Sequence, residues 1–319
     1  MKNGVRIGAR VAGMVAGVVV GVVASIAGAT EPVLLVTDAA EDTVKKYDLD
    51  GNYLGKVFES SSGGVDQPLG MAVDGRGNLY VSGDLSRKVH RFDLATGASR
   101  GVFAEHPNMV GPAGMEFYEG NLWVSDGRTG RVFRFDDRTG DLTDIFISGM
   151  AVPEAILFDE PRNRVVVGDW LRNEFRSYDL DTGAFITRNV VGSGLERPLH
   201  AELSADGTRV RAVNFFGDTF TEHSLETGEL IRSIDLTLGG SPLSGPVDWV
   251  TLADGSHIVS STNNGLLLRY SADWQYQGVF AQGNQTRAGA LILVSDPIPG
   301  PSAGAVLALA GALAVRRRR

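Results

Sequence analysis

Between Val33 and Val294 apolar and polar residues alternate in short runs, which is the pattern of half-buried β-strands. The runs are broken by turn dipeptides. Asp50-Gly51, Thr96-Gly97, Thr139-Gly140, Thr182-Gly183 and Thr227-Gly228 each supply a glycine where a tight hairpin needs positive φ. No amphipathic stretch of helical length lies in this region. The runs recur. A β-branched residue followed by a small or polar one appears as Val36-Thr37, Val81-Ser82, Val124-Ser125, Val167-Gly168, Val213-Asn214 and Val259-Ser260, at steps of 43 to 46 residues. An aromatic residue followed by Asp keeps the same step at Tyr47-Asp48, Phe92-Asp93, Phe135-Asp136 and Tyr178-Asp179, and weakens to His223-Ser224 and Tyr270-Ser271. Two anchors in phase establish a true repeat.

One unit predicts four strands: Leu69–Val73, Leu79–Ser82, Val89–Asp93 and Arg100–Phe103. Four-stranded units at this spacing predict the blades of a β-propeller. The repeat region opens on a second strand, Leu34–Thr37, and closes on a lone first strand, Ala290–Val294. The expected fold is therefore all-β, a six-bladed β-propeller over residues 30–296 whose first blade is closed by the C-terminal strand, which hides two sheet edges.

The two ends read differently. Residues 1–29 carry Lys2, Arg6 and Arg10, then an apolar run from Val11 to Ala27, then Ala27-Gly28-Ala29. That order predicts a signal peptide cleaved after Ala29 by signal peptidase. An uncleaved anchor helix is the other reading; the shortness of the run and the nearby Pro32 favour cleavage. Residues 297–319 place Pro299-Gly300-Pro301-Ser302 before a small, apolar run and Arg316, Arg317, Arg318 and Arg319. That run is too short to span a bilayer core as a helix, and the arginines suit the cytoplasmic side. The tail resembles a PEP-CTERM sorting signal, with Gly300 where that family's motif has Glu. The resemblance implies an exosortase-like partner, transient anchoring in the inner membrane through the tail alone, and delivery to the surface or extracellular matrix of a bacterium.

The chain has no Cys, which removes thiolate catalysis, Cys-zinc sites and disulfide support. Setting aside the seven cations of the two ends leaves 23 Lys and Arg against 38 Asp and Glu, a net −15. An acidic surface repels phosphate backbones, so nucleic acid is not an expected partner.

The segment Pro68-Leu69-Gly70-Met71-Ala72-Val73-Asp74-Gly75-Arg76-Gly77-Asn78-Leu79-Tyr80-Val81-Ser82 resembles the NHL repeat, as do Pro112-Ala113-Gly114-Met115 and Gly120-Asn121-Leu122-Trp123-Val124-Ser125-Asp126. The likeness is clear in blades two and three and fades toward blade six. The related six-bladed set includes the regucalcin/gluconolactonase group and the YncE-like surface propellers. It implies the fold, and a scaffold that serves hydrolases, lyases and binding modules alike.

First strands line a propeller's channel. Aligned on their leading residues, they place Gly70, Gly114, Ala155, His200, Asp248 and Gly289 at one position, preceded by Leu69, Ala113, Glu154, Leu199, Val247 and Ala288. Glu154, His200 and Asp248 interrupt an otherwise Gly/Ala or apolar pattern, and Asn214 is available from blade five. These four are the candidate ligand-binding residues. Glu154, Asn214 and Asp248 match the Glu, Asn and Asp types with which the regucalcin-like lactonases hold a metal, so a divalent cation such as Ca is the candidate cofactor. A solvated channel lining with ordinary hydrogen bonds is the plainer reading. Glu116 and Glu202 share another first-strand position and are expected to pair with Arg. Asp38, Asp126 and Asp169 are expected to cap turns, and Asp136, Asp137 and Asp141 offer a weak calcium pattern. Trp123, Trp170, Trp249 and Trp274 are expected mainly in blade packing. His223 replaces an aromatic anchor and is expected in the core, while His90, His106 and His257 are scattered. No nucleophile elbow, phosphate loop or His-Glu-x-x-His motif is present. The leading expectation is a binding module for an extracellular glycan, protein or small molecule. A metal-dependent hydrolase, lactonase or lyase centred on Glu154, His200 and Asp248 is the alternative.

Overall fold

The computed structural model describes residues 32–295. They form six four-stranded antiparallel sheets. The signal peptide with its Ala29 cleavage point, and the tail with Pro299, Pro301 and the four arginines, lie outside the described residues. Blade one combines Pro32–Asp38, Thr43–Tyr47 and Tyr53–Lys56 with the C-terminal strand Ala288–Ser295, which takes the innermost place. Leu34 pairs with Leu293 and Leu35 with Ile292 across the closure. The inner strands of blades two to six are Pro68–Val73, Pro112–Tyr118, Pro153–Asp159, Pro198–Leu203 and Pro246–Thr251.

The reason for the ring lies in the two faces of each sheet. Alternation gives every blade two apolar faces, and each can be dried only against a neighbouring blade. Six hydrophobic clusters result, one at each seam. Leu35, Leu79, Phe92, Val166 and Ile258 are among the side chains with no exposed surface. Each such burial contributes roughly 1.5–3 kcal/mol.

Every inner strand carries one extra residue relative to its partner. Pro112 faces Asp126 but Met115 faces Val124, and the same slip follows Pro68, Pro153, Pro198 and Pro246. In the closing strand Ala288 faces Asp38 and Leu291 faces Val36. Ala288 therefore stands at the proline position. The residue equivalent to Gly70, Gly114, Ala155, His200 and Asp248 is Ala290, not the Gly289 expected from sequence. The Ala290 N–H donates to Thr37 Oγ1 as the Gly70 N–H donates to Ser82 Oγ. Without a proline to mark its start, this strand was placed one residue out of register.

Candidate functional site

All inner strands run in one direction, so their leading residues gather at one mouth of the channel. The second strands end at the same mouth in Asp38, Gly83, Asp126, Asp169, Asn214 and Ser261. Except at Gly83, their side chains stitch the mouth together. Asp126 accepts the N–H groups of Val110, Gly111, Arg128 and Thr129 at 2.6–3.1 Å. Asp169 accepts those of Ala151, Val152 and Arg172, and Asp38 those of Ala40, Thr286 and Arg287. Asn214 holds the same station in blade five. Its Oδ1 accepts the Glu196 N–H at 3.1 Å, and its Nδ2 donates to Thr221 Oγ1 at 3.0 Å. Asn214 is thus a buried loop clasp, and its amide is engaged away from His200 and Asp248.

The structure does bring His200 and Asp248 together. His200 Nδ1 lies 3.1 Å from Asp248 Oδ1. Asp248 is fixed in turn: its Oδ1 accepts the Trp249 N–H at 2.7 Å and its Oδ2 the Leu291 N–H at 2.8 Å. Trp249 packs edge-on against the imidazole at 4.6 Å between centroids. His200 Nε2 is buried and has no hydrogen-bond partner, with Glu202 Oε1 3.8 Å away. Burial pulls His200 down, but Asp248, Glu202 and Glu116 together hold it above its ordinary value. Burial pushes Asp248 up to about 6 against the pull of His200 and the two N–H donors. Glu116 reaches channel water yet is walled by protein, and burial raises it to about 7 while His200 draws it back. Neither Glu116 nor Glu202 pairs with an arginine among the described residues. That is a correction to the expected Arg pairing: the basic group in reach of both is His200.

Glu154 stands apart, one residue nearer the mouth, with its carboxyl beside Gly127. Burial raises it to about 8, and the nearby Asp84, Asp126 and Asp169 add to the rise. Among the described residues no group of three or more His, Asp and Glu side chains stands in metal-holding geometry. Asp136 and Asp137 are also occupied: Asp136 accepts the Arg138 and Thr139 N–H groups, and Asp137 faces Arg76 at 3.5 Å. His223 is fully buried, as expected, with Nε2 on the Ser193 carbonyl.

Sequence reasoning missed an apolar patch at the same mouth. The loop after the second strand of blade four presents Trp170 and Leu171, and that of blade five Phe215 and Phe216. Phe216 is 62% exposed and Leu171 48%. The Arg197 guanidinium lies 4.4 Å over Trp170 and 5.8 Å from the Phe216 ring. Arg197 is held in a left-handed backbone, φ 64°, by its own N–H to Asn173 Oδ1 and its guanidinium to the Leu171 carbonyl. The sequence carries two signals for it, Trp170 and the tandem Phe215-Phe216.

No protein-family model matches the chain, and no curated protein matches it by sequence. Solved structures do. A chain of a nidogen/laminin complex superposes with TM-score 0.67 at 14% identity, covering 83% of this chain and 99% of its own. A protein of unknown function from Bacteroides caccae gives 0.65 at 11%, covering 84% and 100%. Virginiamycin B lyase from Staphylococcus aureus gives 0.53 at 13%, covering 83% and 81%. At these identities the likeness is one of fold.

Proposed function

We propose that the chain is an exported propeller, sorted to the bacterial surface by residues 297–319, that binds a glycan, protein or small molecule through the mouth bearing Trp170 and Phe216. The carrying observation is the Leu171–Phe216 patch. Large apolar side chains exposed together beside a stacked Trp–Arg pair have the composition of a binding centre. The second strands beneath it, ending in Asp169 and Asn214, hold the loops rigid and so lower the ordering cost of binding. The similar fold of a chain in a nidogen/laminin complex supports the use of this scaffold for binding.

The test has two arms. Fractionation of producing cells should find the protein at the surface with the tail and not without it. On glycan and envelope-protein arrays, Leu171→Ala with Phe216→Ala should weaken binding at least tenfold, about 1.4 kcal/mol. Binding that survives both substitutions would remove the patch from the proposal.

A second reading has one observation in its favour. Asp248 orients His200 so that Nε2 faces Glu202, an arrangement suited to moving a proton in the channel. A hydrolase or lyase would use it, and the similar fold of virginiamycin B lyase keeps that class in view. Turnover of a lactone by the purified protein, lost in His200→Ala, would favour this reading over pure binding.

A further inference from the structure

Count four residues on from the leading residue of each inner strand and cross to the second strand. The residue met there is Leu35, Tyr80, Trp123, Val166 and Ile258 in five blades. All five are at most 1% exposed and pack into the seam with the next blade. In blade five the residue is Arg211. The substitution is part of a larger pattern. In strand register Glu202 lies opposite Arg211, Arg211 opposite Glu222 and Glu222 opposite Arg232, so residues of alternating charge cross all four strands of the blade. The seam between blades five and six opens there into a cleft of about 170 Å³.

The cleft is built, not merely unfilled. Its floor is Trp249, Phe220 and Trp274, with His257 stacked on Trp274 at 4.1 Å and Trp274 on Phe220 at 4.0 Å. His257 is only 9% exposed. Its Nδ1 shares a hydrogen bond with the Thr251 hydroxyl at 3.0 Å, and its Nε2, buried at the cleft wall, has no hydrogen-bond partner. A buried polar atom without a partner calls for a ligand atom. Arg211 and Arg209 each reach Glu222 only at 3.4 Å, and Arg232 donates to the Asp273 carbonyl at 3.3 Å. Glu202 has no Lys or Arg within 4.0 Å among the described residues; the imidazole of His200 lies 3.8 Å away.

From this we infer that the seam between blades five and six is a binding site for a small, uncharged, hydroxyl-rich ligand, a monosaccharide or one sugar unit of a glycan. The two carboxylates and two guanidiniums of the ladder cancel, which selects against a net charge. They alternate acceptors with donors at the strand spacing of roughly 4.8 Å. A hydroxyl both donates and accepts, so a polyol satisfies such a row where a carboxylate or an ammonium satisfies half of it. The volume suits one six-membered ring, since about 150 Å³ holds benzene. Thr251 and His257 lie at the far ends of their strands from Pro246 and Ser261, so the cleft belongs to the opposite side of the ring from the Trp170 patch. The inference does not depend on the function proposed for that patch.

The purified protein is titrated with neutral hexoses and pentoses while its thermal midpoint is followed, with gluconate as an anionic and glycine betaine as a zwitterionic comparator. A saturable rise of several degrees with at least one neutral sugar is expected, and none with the comparators. Arg211→Leu restores the apolar residue of the other seams and leaves Glu222 its Arg209 contact. It should match or exceed the unliganded wild-type midpoint and lose the sugar response. His257→Phe keeps the stack, removes the unpartnered ring nitrogen and should cut the response at least tenfold, and it decides the matter if the first variant fails to fold. Leu171→Ala with Phe216→Ala should respond as wild type. No response to any neutral sugar, a response retained in both cleft variants, or a larger response to either comparator overturns the site.

Discussion

At the residue scale, the channel position shows how backbone approach decides which side chains are allowed. A Cβ on Gly70 would stand 2.2 Å from the Ala113 carbonyl oxygen, and one on Gly114 2.4 Å from that of Glu154. Blades two and three come too close there for a side chain, while blades five and six leave room for His200 and Asp248. Charge at this end of the channel is correspondingly crowded, and Glu154 carries the clearest consequence. Its folded value of about 8 stands above the ordinary 4.5. The native state therefore binds the extra proton, and the stability from this group is complete below about pH 4.5 and lost as pH rises toward 8. Burial lowers His90, His223 and His257 instead, which gives the opposite slope near neutrality. The comparison with Glu154→Gln isolates the one group. At pH 4.5 the two proteins should melt together; at pH 8 the variant should melt roughly 2–4 °C higher, the shift that about 1 kcal/mol makes in a domain of this size. Equal melting at both pH values would mean the carboxyl is not strained by its surroundings.

At the element scale, the recurring Val-Ser/Thr pair does two jobs at once. The valine is seam core, and the hydroxyl joins neighbouring blades. Ser82 Oγ takes the Gly70 N–H at 2.8 Å in its own blade and donates to the Ala113 carbonyl of the next at 2.7 Å. Thr37 and Ser125 reach the Leu69 and Glu154 carbonyls in the same manner. Blade four has Gly168 there, and a Cβ would meet the Phe175 ring at 3.0 Å. Ser82→Ala should cost about 1–3 kcal/mol in urea unfolding, because it leaves a buried N–H and C=O without their shared partner. Ser260→Ala should cost less, since Ser260 contacts only Asp248 of its own blade; equal losses would show that the link between blades adds nothing. The strands and the closure were legible because alternation and turn chemistry are local. The latch was visible only as a small polar residue, its partner lying on another blade. The His200–Asp248 contact was suggested by two odd residues in adjacent repeats. The loop that claims the Asn214 amide, at Glu196, is recognisable only in three dimensions. The Glu202–Arg211–Glu222–Arg232 row was invisible, since its members meet only across strands.

At the scale of the whole molecule, one segment both closes the ring and completes the candidate site. Asp38 accepts the N–H groups of Thr286 and Arg287 across almost the entire chain, at 2.7 and 3.2 Å. The following strand fills the seams on both sides of blade one, through Val294 on one and Ala288 and Leu291 on the other. Such a contact is slow to find, because the loop-closure entropy of the intervening chain must be met before any burial repays it. Without it, Pro32–Asp38 becomes an open edge and two apolar faces meet water. Removing residues 284–319 should therefore abolish cooperative unfolding and yield soluble aggregates. A peptide of residues 284–295 supplied in trans should restore a single transition by adding the missing strand. The same peptide brings back the Leu291 N–H to Asp248 Oδ2, one of the two backbone donors that fix the carboxylate beside His200. The His200 imidazole resonances, shifted in the truncated protein, should return to their full-length positions in step with the recovered transition. A truncated protein that unfolds cooperatively at the full-length midpoint would show that the ring does not depend on its clasp. Recovery of folding without recovery of the His200 resonances would show that closure and site are separate.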